Sequence, residues 1–389
     1  MRKKFKIGLI TVNRSDFGIQ KELIKKLTNH KKIDLHLIVT GSHFQKKYGN
    51  TIKEIKNEKI RIRHSYKIDF ESDNNVAVNK YICKYINFFG NIFKKKNFDN
   101  IIILGDRYEM LAAAVSCRIF NINISHIHGG ETTFGAQDEY FRHAISKLSN
   151  FHFVSLNQHK MRLVKMGENP NNIIISGAPS LENIKDINLI NRNELEKYLK
   201  IKFRNFNFLL TFHPETLNPK NNIKDLNLIL KTISKLKDCF FIITSPAPDI
   251  NSLKMMRLFN KKIENIKFIK SLGRERYFSL LKISDGVIGN SSSGIIEAAS
   301  FNKYVVNIGA RQQGRFQSNN VLNCRCSKIE LVNSIKKLQK LNKLNKNKKI
   351  KNIYFKKNSS KIILDSTLRF LENSKKNDFK KFYDFNIKK

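Results

Sequence analysis

Short runs of aliphatic and β-branched residues alternate with amphipathic stretches along the whole 389-residue chain. FKIGLITV (5–12), IDLHLIVT (33–40), NIIILG (100–105), NINISHIH (121–128) and FHFVS (151–155) are nearly continuous apolar runs, which predict buried strands. Between them KELIKKL, NKYICKYINFFGNIFKKK and RYEMLAAAVSCRIF carry helical patterns. The pattern restarts at NIIISG (172–177) and continues through FNFLLTFH (206–213), CFFIITS (239–245), NIKFIKS (265–271), DGVIGN (285–290) and YVVNIG (304–309). Two such series predict an α/β chain of two doubly wound, Rossmann-like domains, each with a parallel sheet covered on both faces. The polar stretch from Gly177 to Asn193 marks the boundary, and the Lys-rich, mostly helical segment after Lys328 reads as a cover, not a third domain.

Composition narrows the class. Hydrophobic residues make up 41% and aromatics 10%, enough for a sizeable core. No apolar run approaches the roughly 18 residues of a membrane-spanning helix. The start MRKKFKIGLITVNRSDFG loses its apolar stretch at Asn13, Arg14, Ser15 and Asp16, and no small-residue cleavage site follows, so no signal peptide is expected. Five scattered cysteines fit a reducing cytoplasm, and the lone Cys324-x-Cys326 is too little for zinc. The formal net charge is +41. Lysines are spread over nearly every segment and no nucleic-acid module accompanies them, so a general Lys and Asn preference explains the charge better than a nucleic-acid or membrane surface.

Ligands of doubly wound folds bind beyond the carboxyl ends of the strands, so the post-strand loops are where chemistry is expected. In TVNRSDFG, Arg14 stands beside a helix start, with Ser15 or Asp16 as the expected N-cap, a good phosphate contact. In LGDRYEM, Gly105 allows a tight turn that sets Asp106 and Arg107 at the strand end, and Asp106 as a helix N-cap is the competing reading. HIHGGETTFGAQDEYFRH (126–143) gathers His126, His128, Glu131, Asp138, Glu139, Arg142 and His143 around a Gly129–Gly130 turn suited to close approach of a ligand. It has no zinc-protease spacing and no nearby cysteine, and no Ser or Cys sits on a nucleophile elbow. Carboxylates and histidines without a nucleophile fit proton transfer. In the second half, TFHPET places His213 at the end of a strand. GNSSSGIIEAAS offers Ser291, Ser292, Ser293 and Gly294 before a helix carrying Glu297, a diphosphate cradle with a carboxylate one turn in. NIGARQQGR adds Arg311 and Arg315.

GDRYEM, HIHGGE with DEYFRH, FHPET, and GNSSSGIIE followed by NIGARQQGR together resemble the hydrolysing UDP-N-acetylglucosamine 2-epimerases, in the branch of bacterial sialic and legionaminic acid synthesis. The resemblance runs in order from TVNRSDFG to about residue 325. It implies a GT-B fold with the active site between two domains, spanning 1–177 and 178–357, and with 358–389 packing back towards the first. It implies anti elimination of UDP from UDP-N-acetylglucosamine, then hydration of the glycal to N-acetylmannosamine, with no metal and no other cofactor. By motif, Asp106, Glu131, Asp138 and His213 would be catalytic. Arg14, Ser291, Ser292, Gly294, Glu297 and Arg311 would hold UDP, and His128 and Arg142 are further candidates. His128 stands where some relatives carry Glu, Ala247 where they commonly show Asn, and Ala299 where Pro is common. The expected partner is the UDP-sugar, with neither nucleic acid nor membrane, and the relatives are dimers or tetramers, so a homo-oligomer is expected. Three alternatives stand: the same reaction on UDP-N,N′-diacetylbacillosamine, a GT-B glycosyltransferase, and a basic polyanion-binding protein without turnover.

Overall fold

The computed structural model describes residues 4–184, 187–259, 262–345, 348–373 and 379–384. The first sheet comprises β1 (Phe5–Thr11), β2 (Ile33–Val39), β3 (Ile62–Ser65), β4 (Asn100–Leu104), β5 (Asn123–Ile127), β6 (Phe151–Val154) and β7 (Ile173–Ile175). Its order is β3-β2-β1-β4-β5-β6-β7, and every pairing is parallel. The second comprises β8 (Phe206–Thr211), β9 (Cys239–Thr244), β10 (Ile266–Ile269), β11 (Gly286–Gly289), β12 (Val305–Ile308) and β13 (Val321–Cys324), in the order β10-β9-β8-β11-β12-β13 and again parallel.

The central strands are buried on both faces, as NIIIL of β4 and CFFIIT of β9 are throughout. That is why they read as continuous apolar runs. β3 and β13 do not. They are edge strands, IRHS and VLNC, with alternating or partial exposure, and no apolar run announced them. NIIISG was expected to open the second series. Its strand β7 instead pairs with β6 at the edge of the first sheet, through His152↔Ile173 and Val154↔Ile175.

The helix Lys328–Leu344 inserts Leu331, Ile335 and Leu338 into the core of the second sheet. The helix Ser359–Asn373 returns to the first, placing Ile363, Leu364, Leu368 and Leu371 among Leu23, Ile24 and Leu27. Phe370 stacks flat on Phe151, with ring centroids 4.3 Å apart. Each fully buried aliphatic side chain contributes about 1.5–3 kcal/mol of hydrophobic stabilisation, so this last helix is anchored by its own apolar face.

Candidate active site

Both sheets point the carboxyl ends of their strands at one cleft of about 680 Å³. β4 delivers Asp106 and Arg107, β5 delivers His128 and Glu131, and the helix Asp138–Leu148 presents Asp138 at its first residue. From the other side come His213 after β8, Ala247 after β9, Ser291 to Ser293 after β11, and Arg311 and Arg315 after β12. β4 and β5 are neighbours in register, Leu104↔Ile127, which is what brings Asp106 beside the HGGE turn.

The three carboxylates sit in different fields. Asp106 accepts from Arg142 Nε at 3.1 Å and, more closely, from Arg142 Nη2. Burial would raise its pKa, but the guanidinium outweighs burial and holds the carboxyl below its ordinary value. Glu131 is fully enclosed. Its Oε1 lies 2.6 Å from His128 Nδ1 and 3.3 Å from Ser155 Oγ, and its Oε2 lies 3.0 Å from Arg315 Nη1. Burial again opposes the charge, yet Arg315 and His128 hold Glu131 well below the usual carboxylate range. Asp138 differs. Its nearest cation, Arg311 Nη2, is 3.6 Å away, while burial and the neighbouring Asp106 and Asp249 push its pKa up to about 7. Of the three, Asp138 is the group able to take and return a proton near neutrality.

Arg142 organises this side. Its buried guanidinium donates to Asp106, to Glu139 Oε2 at 2.7 Å, to Thr133 Oγ1 at 2.8 Å and to the Glu131 carbonyl at 3.2 Å. It stands behind the cleft wall, as a support for Asp106. Asp106 caps no helix: the helix Tyr108–Ile119 has Arg107 at its N-cap without a side-chain bond. The cap before Arg14–Thr28 is likewise neither Ser15 nor Asp16 but Asn13, whose Oδ1 accepts from Asp16 N at 3.0 Å.

The glycine turn serves packing more than ligand approach. Gly130 has φ +70°, and a Cβ there would lie 2.5 Å from the His159 carbonyl; one on Gly129 would lie 2.9 Å from His126 Nδ1. His126 is wholly buried, 2.7 Å from the Gly105 carbonyl and 3.1 Å from Ser146 Oγ, and burial pushes its pKa down to about 3. It is a structural histidine. His128 adopts φ +67°, uncommon outside glycine, and turns its ring to Glu131. Among the described residues no group of three His, Cys, Asp or Glu side chains is arranged to hold a metal ion.

Across the cleft, His213 is locked by its surroundings. Its backbone N–H donates to Asn290 Oδ1 at 2.6 Å, and the Ala247 backbone N–H donates to His213 Nδ1 at 2.8 Å. Nδ1 is therefore the acceptor and Nε2 carries the proton. Burial, with Arg311, Arg107 and Arg14 nearby, keeps the ring neutral by lowering its pKa well below the ordinary value. A neutral imidazole with a fixed N–H is a donor for a phosphate or sugar oxygen.

Ser291 caps the short helix Ser292–Ile296 and receives the Ser293 N–H. Glu297 accepts from Ser293 Oγ at 2.5 Å, and burial raises its pKa. Gly294 does not line the cleft. It is buried against Val305, whose Cγ1 would lie 3.0 Å from an added Cβ. Arg14 lies at the cleft wall, 3.3 Å from Ser271 Oγ of the other half.

Ion pairs between the halves escaped the reading of single motifs. Arg107 Nη1 reaches Asp249 Oδ1 at 3.0 Å while its Nε holds Glu109 at 3.1 Å. Arg315–Glu131, Arg311–Asp138 and, at 4.0 Å, Lys21–Glu275 also cross the cleft. Asp249 had one usable signal, its place in the TSPAPD loop after the strand CFFIITS. The segment TTFGAQ clasps two opposite loops, those after β12 and β8: Phe134 N–H donates to the Gln313 carbonyl at 3.0 Å, and Gln137 N–H to Thr216 Oγ1 at 2.7 Å.

The sequence profile described as UDP-N-acetylglucosamine 2-epimerase matches residues 25–368. A Campylobacter jejuni protein named GDP/UDP-N,N′-diacetylbacillosamine 2-epimerase (hydrolyzing) is 35% identical over 331 residues, covering 84% of this chain and 86% of that one. The Escherichia coli polysialic acid biosynthesis protein P7 is 33% identical over 387 residues, 97% of each. The crystal structure of Neisseria meningitidis UDP-GlcNAc 2-epimerase bound to UDP-GlcNAc superposes with a TM-score of 0.80 at 18% identity, covering 94% of this chain and 100% of that chain. The two sheets and the cleft between them are accordingly those of a GT-B fold.

Proposed function

The chain belongs to the UDP-N-acetylglucosamine 2-epimerase family, and we propose that its cleft splits a UDP-activated 2-acetamido sugar into UDP and the 2-epimeric free sugar. A base removes the C2 proton while the bond from C1 to the diphosphate oxygen breaks, releasing UDP and leaving a C1=C2 glycal. Water then adds across that bond, hydroxyl to C1 and proton to C2 from the other face. The reading is carried by one observation, the convergence of Asp106, Glu131 and Asp138 in one cleft opposite His213, Ser291, Ser292 and Arg311; the unequal fields on the three carboxylates then divide the work. A proton is moved near neutrality by a group whose pKa lies there, which assigns removal of the C2 proton to Asp138; the proton that reaches C2 from the other face comes from the water that adds, and Asp138 releases its own to solvent. Asp106 and Glu131 stay ionised, framing C2 and orienting water. Departing UDP needs donors and positive charge, for which Arg14, Arg311, the neutral His213, Ser291 and Ser292 are suited, with Glu297 on the ribose hydroxyls.

The sugar is UDP-N-acetylglucosamine in the first reading, giving N-acetylmannosamine for a sialic-type acid; likeness to the polysialic acid protein supports it. The name of the Campylobacter jejuni relative favours a second reading, UDP-N,N′-diacetylbacillosamine. Incubation of each UDP-sugar in D2O with NMR detection separates the two. The productive substrate yields UDP and a manno-configured sugar with deuterium at C2; release of UDP from neither would sink the proposal.

A further inference from the structure

The helix Asp138–Leu148, which carries Asp138 and Arg142 at its front, is held at its rear by the chain's own C-terminal tail. Lys380 Nζ donates to the carbonyls of Lys147 and Ser149, both at 2.6 Å, and approaches that of Ser146 at 3.4 Å. Carbonyls at a helix end have no intrahelical donor, and a cation there also complements the helix dipole. The same ammonium pairs with the buried Glu168, 2.7 Å from Oε2, which in turn takes His152 at 2.9 Å and Lys147 at 3.0 Å. Phe382 closes the contact. Its ring covers Gly167 so closely that a Cβ there would come within 2.3 Å, Lys147 Nζ lies 4.2 Å from its centroid, and Tyr383 N–H donates to the Gly167 carbonyl at 3.0 Å. The preceding helix Ser359–Asn373 is already seated by its apolar face, so residues 380–383 are not needed to dock it.

We propose that Lys380 is a positioning residue, and that the tail fixes the helix Asp138–Leu148 along its axis so that Asp138 meets the cleft, and Arg142 meets Asp106, in register. The proposal rests on the reading of Asp138 as the proton-transfer group. An 11-residue helix is a stiff rod, so a shift where Lys380 grips it is delivered at Asp138. Asp106 would follow, since Arg142 on the same helix holds it.

The test compares the full-length wild type with Lys380→Met and Lys380→Arg. A misplacement of about 1 Å near the chemistry can slow turnover ~100-fold. Lys380→Met is therefore expected to lower kcat by about tenfold or more, with KM for the UDP-sugar within about twofold because the groups assigned to UDP do not lie on this helix. Lys380→Arg, which keeps the cation and its donors, is expected to restore most of kcat. Wild-type kcat in Lys380→Met, with or without a lower thermal midpoint, overturns the proposal and makes the tail a clamp on stability only. If Lys380→Met does not fold, Phe382→Ala loosens the same strap while leaving Lys380 and Glu168 in place; wild-type kcat there overturns the proposal equally. Amide hydrogen exchange across 138–148 asks the question without turnover. Faster exchange in the variant supports the strap and equal exchange overturns it, even if the wild type turns over neither UDP-sugar and the reading of the cleft has itself failed.

Discussion

Replacing Asp138 by Asn should abolish turnover and, at alkaline pH, stabilise the protein. In the folded state burial, Asp106 and Asp249 raise this carboxyl from 3.8 to about 7. A group whose pKa is raised on folding contributes stability that is complete below the unfolded value and is lost as pH climbs through the folded one. The window therefore runs from about 4 to about 7. At about 1.4 kcal/mol per pH unit, three units give an upper figure of about 4 kcal/mol. The side chain is 20% exposed, and solvent screening trims this to roughly 2–4 kcal/mol. Asn matches the protonated acid in shape and charge, so at pH 5 the substitution should change little. At pH 8, where the wild type must hold an ionised carboxylate in this field, it should raise the thermal midpoint by several degrees. Asp16 has a pKa raised to about 7 by burial and contributes with the same sign, so the difference between the two proteins, not the wild-type curve, isolates Asp138. Thermal melts of both at pH 5 and pH 8, beside turnover, decide the matter. A midpoint difference that is the same at both pH values, or a variant less stable at pH 8, would refute the field assigned to Asp138.

Wild-type kcat/KM should fall about tenfold for each pH unit below 7, since the base must be ionised; a flat profile from pH 5 to 8 removes Asp138 from the rate-determining proton transfer. Arg315→Met leaves Glu131 buried with only His128 and Ser155, and denaturant titration should show a loss of about 3–5 kcal/mol; a loss below about 1 kcal/mol would deny that pair its role. Gly135→Ala places a Cβ 2.7 Å from Arg311 Cα and 2.8 Å from the Ala310 carbonyl. The TTFGAQ clasp should then fail to seat, lowering kcat/KM, and unchanged steady-state kinetics would show that the clasp is dispensable. Glu297→Gln should weaken UDP alone by about tenfold in calorimetry, the ~1.4 kcal/mol of a charge-assisted hydrogen bond; equal affinity would take Glu297 off the ribose.

How much of this was legible depended on the range of the interaction. Strands such as NIIIL and CFFIIT are buried on both faces, so their apolar runs reported the parallel sheets directly. The edge strands IRHS and VLNC carry partly exposed side chains and gave no such run, and β7 was attached to the wrong series because nothing local says which sheet an edge strand joins. The post-strand loops converged as expected, since strand order alone carries Asp106, Glu131 and Asp138 to one place. What motifs could not convey is the partner of each charge. Arg315 lies 184 positions from the Glu131 it neutralises and Asp249 lies 142 from Arg107, so the division into two ionised carboxylates and one titrating near neutrality exists only once the halves have met. Gly294 is the opposite case: its motif suggested a ligand, whereas its missing Cβ makes room for Val305.

The net charge of +41 acquires a location by the same reasoning. The cleft wall carries Arg14, Lys21, Arg107, Lys270, Arg274, Arg276, Arg311 and Arg315, against Asp16, Glu54, Glu58, Asp106, Glu131, Asp138, Glu275 and Glu297. These cancel in formal charge, so the surplus lies entirely outside the cleft. Inside, cations and carboxylates match because an unpaired buried charge is costly, and Arg107, which would otherwise lower the Asp138 carboxyl, is itself balanced behind the wall by Glu109 and Asp249. Outside, a lysine in water is nearly neutral for stability and its number can drift. A polyanion-binding protein would concentrate its positive charge where it meets the ligand. Here formal charge cancels along the cleft that both sheets face, the distribution expected for the proposed proton transfer beside a diphosphate.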